Sequence, residues 1–503
     1  MGEQTMTERE ELYQNLELIR KYQHALGILS FDFETCTPPA AREAEGETMS
    51  FLSNEAFKLE TSDRMKELIV SLHDHIDELE PLDQALIEKR FEDYQKKKNI
   101  TPEQQLEWSR ITNQAYVDWL RAKQAGDFGG FAGSLGNIVD MSRKLVQLRE
   151  GALPDLYDNL LDDCEKGVLT ADLDAFFAEL KAGLMELIQK IRASKHVIRS
   201  DFLSRPVPVH KQEAFSRYLL ELNGYDFNRG CLSTTEHPFT APVARDDARV
   251  TTHYHEDMVL SNIFSVIHEG GHAIFMQNEP EEDFVHFIND SISNGMHESV
   301  SRFYENVIGR SEAYIHLIYP KFQELFGQEL GDVSERELYE AVNIVQPSLI
   351  RTEADEVTYG LHIVIRYEME KALLDGSLSI DQAPETWNRK YTEYLGVTPD
   401  SDRTGILQDV HWTSGFGYFP SYALGNAYNA MYLKAIQRDM DFYGTIRAGD
   451  FQAIKNWMAE HVFRRANVLT PKEWLKELTG RELTARDFLD YLNEKYSAIY
   501  ELA

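Results

Sequence analysis

Cysteine is scarce in this sequence. The 503 residues include three cysteines, Cys36, Cys164 and Cys231, which lie far apart and form no CxxC pair. Disulfide-rich secreted domains and cysteine-based zinc modules need closely paired cysteines, so the sequence excludes both classes. We expect reduced thiols in a cytoplasmic protein.

Long apolar runs are also missing. No stretch approaches the roughly 18 apolar residues that a membrane-spanning helix needs. The N-terminal segment MGEQTMTEREELYQ is polar and acidic, without the apolar stretch of a signal peptide. We therefore expect no membrane partner.

Positive charge is in deficit. Lys and Arg number 51 against 84 Asp and Glu, giving a formal net charge of −33. Binding to a phosphate backbone needs clustered Lys and Arg. We therefore expect no nucleic-acid partner, whereas the charge favours solubility.

Most of the chain has the apolar spacing of amphipathic helices. This pattern predicts helices over 7–30, 62–98, 102–125, 136–150, 170–194, 210–223, 296–327, 335–346, 355–375, 384–395, 421–442, 449–463 and 471–498. Residues 224–254 differ, because they are rich in Gly, Pro and Thr and end in the alternating stretch ARVTTHY. They predict two antiparallel strands with a turn near Arg245–Asp247. Such strands could bind an extended peptide at their edge or form a purely structural hairpin.

The segment SVIHEGGHAIF, residues 265–275, places polar residues at the centre of a buried-helix pattern. Side chains four residues apart share a helix face, so His268 and His272 can both bind one Zn²⁺. Glu269 lies about 100° round the helix. It therefore reaches the water at the metal, where it can act as the general base.

A catalytic zinc site needs a third protein ligand. In SNGMHESVSRFYENVIG, residues 293–309, Glu298 is a carboxylate among apolar neighbours that needs a partner. The neighbouring His297 is the rival ligand, because adjacent helical residues point about 100° apart and only one can face the metal. A solvated glutamate at a helix start is the remaining alternative.

Gly270 and Gly271 are unfavourable in a helix interior, by about 1 kcal/mol each relative to Ala. With the two histidines facing the metal, Gly271 lies to one side and Gly270 almost opposite. We expect Gly271 to make room for substrate or for the helix of the third ligand. Gly270 would let another helix pack close behind.

Further motifs follow one another along the chain. They are HPF at His237–Phe239, DARVT at Asp247–Thr251, HEGGH at His268–His272, HES at His297–Ser299, IRTEAD at Ile350–Asp355 and GILQDVHW at Gly405–Trp412. GYFPSYALG at Gly417–Gly425 and FDFETCTPPAA near the N-terminus belong with them. In these motifs, and along nearly its whole length, the chain resembles the carboxypeptidase Taq family of metallocarboxypeptidases.

The sequence departs from the family pattern at a few positions. Val300 stands where the family usually has Gln, so any hydrogen bond from that Gln is missing. His253 replaces an arginine in the family's TTRY. Phe31 and Thr37 replace a Trp and a Met in the N-terminal motif. None of these is a zinc histidine, Glu269 or Glu298, so we expect them to affect substrate preference rather than the reaction.

The resemblance implies a mostly α-helical, saddle- or clam-shaped peptidase with a deep cleft and a small β-hairpin or sheet beside it. It is similar in fold to neurolysin and angiotensin-converting-enzyme-type peptidases. We expect residues 1–503 to form one unit of two helical lobes flanking the cleft. Residues 1–100 would form a lid, 224–254 the hairpin, and 260–425 the metal and substrate site. The resemblance also implies Zn²⁺, with Co²⁺ as an alternative, and a homodimer.

The resemblance further implies hydrolysis of the C-terminal peptide bond of peptides with a free C-terminus, releasing single amino acids with broad specificity. It makes Tyr422 and His411 the expected donors to the oxyanion that forms during hydrolysis. Tyr418 is a third candidate donor. His237, Gln408 and Tyr418 are expected to line the cleft.

Recognition of a terminal carboxylate suits arginine, whose planar group binds two oxygens at once. Arg351 is the first candidate and Arg249 the second. Either could instead pair with a neighbouring acid, Asp355 or Asp247. We expect Asp355 and Asp409 to support the site, Asp409 by orienting His411 or a zinc ligand.

Two other functions stay open at this point. An endo-acting oligopeptidase could use the same fold and the same HExxH motif. A non-catalytic helical scaffold could hold a structural metal, although such a site has no need of Glu269 as a base.

Overall fold

The structure is a computed structural model that describes residues 6–502. Residues 1–5, which begin the N-terminal segment considered above, lie outside the described residues. Helices account for most of the described chain, and a small three-stranded sheet accompanies them. This confirms the predicted mostly α-helical fold with a small sheet.

The α-helices are, in chain order, α1 (Glu8–Thr35), α2 (Arg42–Glu60), α3 (Asp63–Asp74), α4 (Pro81–Lys97), α5 (Pro102–Ala125), α6 (Gly129–Gln147), α7 (Leu156–Asp162), α8 (Thr170–Ala193), α9 (Val209–Asn223), α10 (Val259–Asn278), α11 (Glu281–Val285), α12 (Asn294–Arg302), α13 (Glu312–Leu330), α14 (Glu335–Ala341), α15 (Tyr359–Asp375), α16 (Ala383–Tyr394), α17 (Phe419–Asp439), α18 (Phe442–Arg447), α19 (Phe451–Met458), α20 (Arg464–Ala466), α21 (Pro471–Thr479) and α22 (Arg486–Tyr500). Short 3₁₀ segments cover Ile76–Glu78, Phe227–Arg229, Arg351–Glu353, Ile380–Gln382 and His411–Thr413, and π segments cover Phe303–Ile308 and Ala459–Phe463. None of the helices in the described part of the chain is long and apolar enough to cross a membrane.

The boundaries of α5 follow directly from local sequence. The side chain of Thr101 accepts a hydrogen bond from the backbone N–H of Gln104, and the Gln104 side chain accepts one from the N–H of Thr101. Pro102 occupies the first turn, where its missing N–H costs nothing. Gly126 ends the helix at a φ of 69°, a conformation that favours glycine.

Several predicted helices are shorter than expected. The helix predicted over 62–98 is divided into α3 and α4 by the 3₁₀ segment Ile76–Glu78, and Pro81 starts α4. The helix predicted over 471–498 is divided into α21 and α22. Helix α21 ends at Gly480, which has a φ of 70°. Helix α2 was not predicted, because only Ala56 of its residues is buried and its sequence lacks an apolar stripe.

The sheet contains β1 (Leu232–Thr234), β2 (Thr240–Ala244) and β3 (Asp247–Thr252) in the order β1–β3–β2. Strands β2 and β3 are antiparallel and joined by a turn at residues 245–246. Strand β1 runs parallel to β3 and was not predicted, because it has only three residues and no alternating pattern. Pro242 lies in β2, which is an edge strand, where a missing N–H is tolerated.

The N-terminal helices have a hydrophobic cluster of their own. Leu12 of α1, Leu68 of α3 and Leu86 of α4 pack with Phe287 and Ile288, separately from the large core formed by the rest of the chain. The far end of α1 reaches the sheet, where the rings of Phe31 and Phe239 lie 6.2 Å apart. This arrangement suits a lid, and the lid stays a prediction.

Helix α10 lies at the centre of the arrangement that positions the site. It packs against α9 on one side, against α12 on another and against strands β2 and β3. Helix α12 in turn packs along α17, which follows the segment containing His411 and Tyr418. The core therefore places three parts of the site in consecutive layers. These are the histidines of α10, the glutamate of α12 and the start of α17.

Candidate metal centre

The HExxH histidines and Glu298 come together between α10 and α12. One ligand atom from each of His268, His272 and Glu298 can be chosen so that all lie within 4.8 Å of one another. The Nε2 atom of His268 lies 3.9 Å from Glu298 Oε1, and that of His272 lies 3.6 Å from Glu298 Oε2. These separations exceed a hydrogen bond and suit two nitrogen donors and one oxygen donor around a shared ion.

The other nitrogen of each histidine is already engaged. His268 Nδ1 lies 2.8 Å from Glu305 Oε2, and His272 Nδ1 lies 2.6 Å from His297 Nδ1. Because the Glu305 carboxylate can only accept, His268 Nδ1 is the donor in its contact, and a neutral His268 then has its lone pair on Nε2. Either ring can donate in the contact between His272 and His297. His297, the rival third ligand, therefore contacts His272 on the side away from Glu298.

Charged partners surround the buried Glu298 carboxylate. Arg302 Nε donates to Glu298 Oε1 at 2.8 Å, and the Arg302 guanidinium lies over the ring of Tyr359, 4.2 Å from its centre. Burial alone would raise the pKa of Glu298, but the charge of Arg302 holds it well below its usual range. Glu298 is therefore a carboxylate anion with one oxygen held by the protein, and the donor set fits a divalent metal ion.

The adjacent glycines are explained by close packing. A Cβ on Gly271 would lie 2.8 Å from Ser301 Cα of α12, and a Cβ on Gly270 would lie 2.6 Å from Leu220 Cδ2 of α9. Gly271 thus makes room for the helix that carries Glu298, one of the two expected possibilities. Gly425 of α17 has the same role from the other side, since its Cβ would lie 3.1 Å from Glu298 Cγ.

We expect Gly271→Ala to lower the free energy of unfolding by about 1–3 kcal/mol, and with it the melting temperature, because the backbone of α12 must move away from the added methyl group. Gly136→Ala in α6 is the matched control, since a Cβ there meets nothing within 4 Å, and replacing a helical Gly by Ala stabilises by about 1 kcal/mol. Differential scanning fluorimetry measures both. Equal melting temperatures for the two variants would contradict the packing account.

Glu269 points from α10 toward the sheet. Thr240 Oγ1, at the start of β2, lies 2.7 Å from Glu269 Oε2 and 2.8 Å from the Glu269 backbone oxygen. Glu269 is neither among the grouped ligand atoms nor paired with a cation among the described residues. It is thus a carboxylate beside the candidate metal ligands, held by a hydrogen bond from Thr240.

Arg351 is buried, with 7% of its surface exposed. Its Nε donates to Asp409 Oδ1 at 2.9 Å and its Nη1 donates to Tyr359 Oη at 3.0 Å. Its guanidinium lies 4.9 Å from the ring centre of Tyr422. Among the hydrogen bonds within residues 6–502, none involves Arg351 Nη2, which leaves this donor for another group.

Asp409 and Gln408 hold this arginine in place. Asp409 accepts from Arg351 and from the fully buried Arg366, and the two guanidinium charges hold its pKa well below the usual range against the effect of burial. Gln408 Oε1 accepts from the Arg351 backbone N–H and from Arg366 Nη2, each at 2.9 Å. Arg351 therefore pairs with Asp409 and not with Asp355, the acid that the sequence suggested.

Asp355 instead shapes the loop that leads into α15. Its carboxylate accepts from the backbone N–H groups of Gln346, Val357 and Thr358 at 2.9–3.0 Å. It also accepts from the Thr358 hydroxyl at 2.8 Å. Among the residues that the structure describes, it contacts neither His411 nor the three grouped ligands.

His411 and the two tyrosines form an aromatic group beside Arg351. His411 Nε2 lies 3.2 Å from Tyr422 Oη, and the rings of Tyr418 and Tyr422 are 5.3 Å apart. Burial lowers the pKa of His411 to about 4 and raises the pKa of Tyr418 to about 12. Near pH 7 the imidazole is therefore neutral and the phenol keeps its proton, so both can donate hydrogen bonds.

The other two predicted residues lie on the sheet or next to it. Arg249 of β3 pairs with Asp247, with 2.7 Å between Nη2 and Oδ2, and lies 5.0 Å from the ring centre of Phe31. This matches the salt bridge left open above. His237 is exposed just before β2, and its backbone oxygen accepts from Thr235 Oγ1 at 2.9 Å.

Some neighbours of the centre were missed from the sequence. Glu305, Arg302 and Tyr359 all contact the residues described above. Glu298, Arg302 and Glu305 are spaced four and three apart, which places them on one helix face. Three charged residues on one face of an otherwise apolar segment could have been recognised from the sequence. The π segment Phe303–Ile308, which carries Glu305, could not have been predicted from it.

Replacing Glu305 by Gln keeps an oxygen that can accept from His268 Nδ1 but removes the negative charge. We expect metal affinity to fall about 10- to 100-fold, as for other groups that hold a metal-binding histidine. Competition with a chelator measures it. Glu312→Gln, at an exposed position in α13, is the control. Unchanged affinity in Glu305→Gln would show that the contact does not tune the metal.

Two departures from the family pattern can now be located. Val300 is fully buried in α12, so it contributes packing and no hydrogen bond. His253 follows β3, and its Nδ1 lies 2.8 Å from the backbone oxygen of Thr235. This contact holds the loop before His237 against the end of β3.

The chain is similar to known proteins along nearly its whole length. Residues 11–496 match the family described as Carboxypeptidase Taq (M32) metallopeptidase. The chain is 39% identical over 498 residues to Carboxypeptidase 1 of Bacillus subtilis (strain 168), covering 99% of each chain. It is 36% identical over 507 residues to Thermostable carboxypeptidase 1 of Thermus thermophilus, covering 98% of this chain and 99% of the relative.

Solved structures are similar to the chain as well. The crystal structure of M32 carboxypeptidase from Deinococcus radiodurans R1 superposes with a TM-score of 0.94 at 31% identity, covering 99% of this chain and 100% of that one. Trypanosoma cruzi metallocarboxypeptidase 1 gives a TM-score of 0.92 at 30% identity, covering 98% and 99%. The chain therefore belongs to the carboxypeptidase Taq family of metallocarboxypeptidases, which are peptide hydrolases.

Proposed function

We propose that this metallocarboxypeptidase uses Zn²⁺ held by His268, His272 and Glu298 to release single amino acids from free peptide C-termini, with broad specificity. The proposal rests chiefly on the three ligand atoms that lie within 4.8 Å of one another, next to Glu269 on the same helix. Nitrogen and oxygen donors suit Zn²⁺ and Co²⁺ alike, so Co²⁺ is the alternative metal.

The catalytic steps follow from the residues around the centre. When bound, the metal polarises the scissile carbonyl and makes water acidic enough to lose a proton near pH 7. Glu269 takes that proton and then delivers it to the nitrogen of the leaving amino acid. The hydrogen bond from Thr240 Oγ1 to Glu269 Oε2 holds this carboxylate in place for the first step.

Tyr422 and His411 are the proposed donors to the oxyanion. Burial raises the pKa of Tyr422 well above its usual range, so the phenol keeps its proton near pH 7. Its contact with the neutral His411 fixes the hydroxyl. Donors that are fixed before the reaction stabilise developing charge without reorganising. Tyr418, with 40% of its surface exposed, lines the substrate site.

Arg351 is the proposed partner of the substrate's terminal carboxylate. Its pairing with Asp409 leaves Nη2 free, and Asp409 and Gln408 hold the guanidinium in a fixed position. Arg249 is the second candidate, weakened by its pairing with Asp247. We assign His237 and Gln408 to the lining of the substrate site, and Asp355 to support of the loop that carries Arg351.

The cellular setting is proposed on less direct grounds. The cysteines are free thiols, which suits the reducing cytoplasm. The homodimer and the lid at residues 1–100 come from the family resemblance, as does a single unit of two lobes.

One peptide in two forms tests the proposal. The metal-loaded protein is incubated with an unblocked peptide and with the same peptide amidated at its C-terminus, and mass spectrometry follows the products. Stepwise loss of single C-terminal residues from the unblocked peptide alone supports the proposal. Internal cleavage of both forms would make the protein an oligopeptidase and remove the role of Arg351.

A further inference from the structure

The HPF and DARVT motifs meet at the start of β2. The Phe239 N–H donates to Thr251 Oγ1 at 2.8 Å, and the Thr251 N–H donates to Phe239 O at 2.9 Å. Thr251 is completely buried, and its hydroxyl also lies 3.0 Å from Phe239 O. These bonds fix the backbone immediately before Thr240, the first residue of β2.

Thr240 is the residue that joins this fixed point to the general base. Its hydroxyl has a single proton to donate and two oxygens of Glu269 within reach, Oε2 at 2.7 Å and the backbone oxygen at 2.8 Å. The backbone oxygen is already an acceptor within the helix, and a charged carboxylate is the stronger acceptor. The proton therefore goes to Oε2. No hydrogen bond among residues 6–502 involves Glu269 Oε1.

We propose that Thr240 is a positioning residue that selects the oxygen with which Glu269 acts. This inference rests on the proposed function, in which Glu269 is the base. With Oε2 held by Thr240, Oε1 takes the proton of the attacking water as the new C–O bond forms. Oε1 then returns that proton to the amine nitrogen as the C–N bond breaks. Thr240 keeps its own proton throughout.

This role gives a kinetic signature that differs from a structural one. Without the hydroxyl, the Glu269 carboxylate can turn about its terminal bond, so fewer substrate-bound molecules have the base in place. We expect Thr240→Val to lower kcat by up to about 100-fold, the loss that misplacement of a reacting group by about 1 Å can cause. KM and bound metal should not change, because Thr240 contacts none of His268, His272 and Arg351.

The experiment uses the full, metal-loaded chain with one unblocked peptide. Thr240→Val and Thr240→Ala share only the loss of the hydroxyl, so either suffices if the other does not fold. Thr240→Ser restores the hydroxyl and should recover most of kcat. Thr252→Val is the matched control, since Thr252 Oγ1 contacts Asn262 Oδ1 at 2.9 Å and also ties the sheet to α10. It should lower the melting temperature and leave kcat unchanged.

A double-mutant cycle with Glu269→Gln completes the test, because the effect of Thr240→Val should vanish when the base is gone. Undiminished kcat in Thr240→Val would overturn the inference. So would parallel loss of bound metal, or an equal loss of kcat in Thr252→Val. If Glu269→Gln itself retains full kcat, the proposed function fails, which is a different result from failure of Thr240 alone.

Discussion

Replacing Glu269 by Gln is expected to lower kcat by about 10²- to 10⁴-fold, the usual contribution of a general base. Gln has nearly the same shape and can still accept from Thr240 Oγ1, but it cannot take a proton from water. Metal binding should be unchanged, because Glu269 is not among the grouped ligand atoms. Turnover of an unblocked peptide and metal content, measured on the same samples, give both quantities.

Glu279→Gln is the matched control for this variant. Glu279 is the next acidic residue along α10, at its C-terminal cap, and burial raises its pKa to about 8. It is therefore largely neutral at pH 7, and Gln can keep the contact with Asn467. We expect full turnover from Glu279→Gln. Substantial turnover from Glu269→Gln would instead require another base.

Replacing Arg351 by Met should cost about 2–5 kcal/mol of transition-state binding, the range for losing one partner of a buried charge pair. That corresponds to a loss on the order of 30- to 4,000-fold in kcat/KM for unblocked peptides. The buried Asp409 keeps Arg366 as a partner, so the variant should fold. Initial rates across a range of peptide concentrations measure the change.

The comparison with Arg249→Met decides between the two arginines. We expect a much smaller change in kcat/KM there, because Arg249 is engaged with Asp247 on the sheet. If Arg249→Met showed the larger loss of kcat/KM, Arg249 would be the arginine that binds the terminal carboxylate and Arg351 would not. If both variants kept wild-type kcat/KM, neither arginine would bind the terminal carboxylate.

The local parts of the site could be predicted from sequence. Four-residue spacing on a helix placed His268 and His272 together, and an isolated carboxylate among apolar residues pointed to Glu298. Close packing of a neighbouring helix was the explanation predicted for Gly270 and one of the two predicted for Gly271. Each of these inferences uses geometry within one helix, which the sequence determines closely.

Contacts between distant segments could not be predicted in the same way. The acid that the sequence offered as an alternative partner of Arg351 was Asp355, four residues away, yet Arg351 pairs with Asp409, in a segment that tertiary packing brings close. Thr240 and Glu269 meet because the sheet packs on α10. The parallel strand β1 has only three residues and no pattern of its own. Such contacts depend on how helices and strands pack together, and spacing along the chain does not determine that packing.

The most direct test of the account is the amount of Zn²⁺ bound per chain at a buffered free concentration. It compares the wild type with Glu298→Ala, which removes the ligand supplied by α12. We predict one ion per chain for the wild type and an affinity more than about 100-fold weaker for Glu298→Ala, beyond the effect of groups that only support a ligand. Stoichiometric binding at wild-type affinity by Glu298→Ala would contradict the account, because it would place the metal elsewhere.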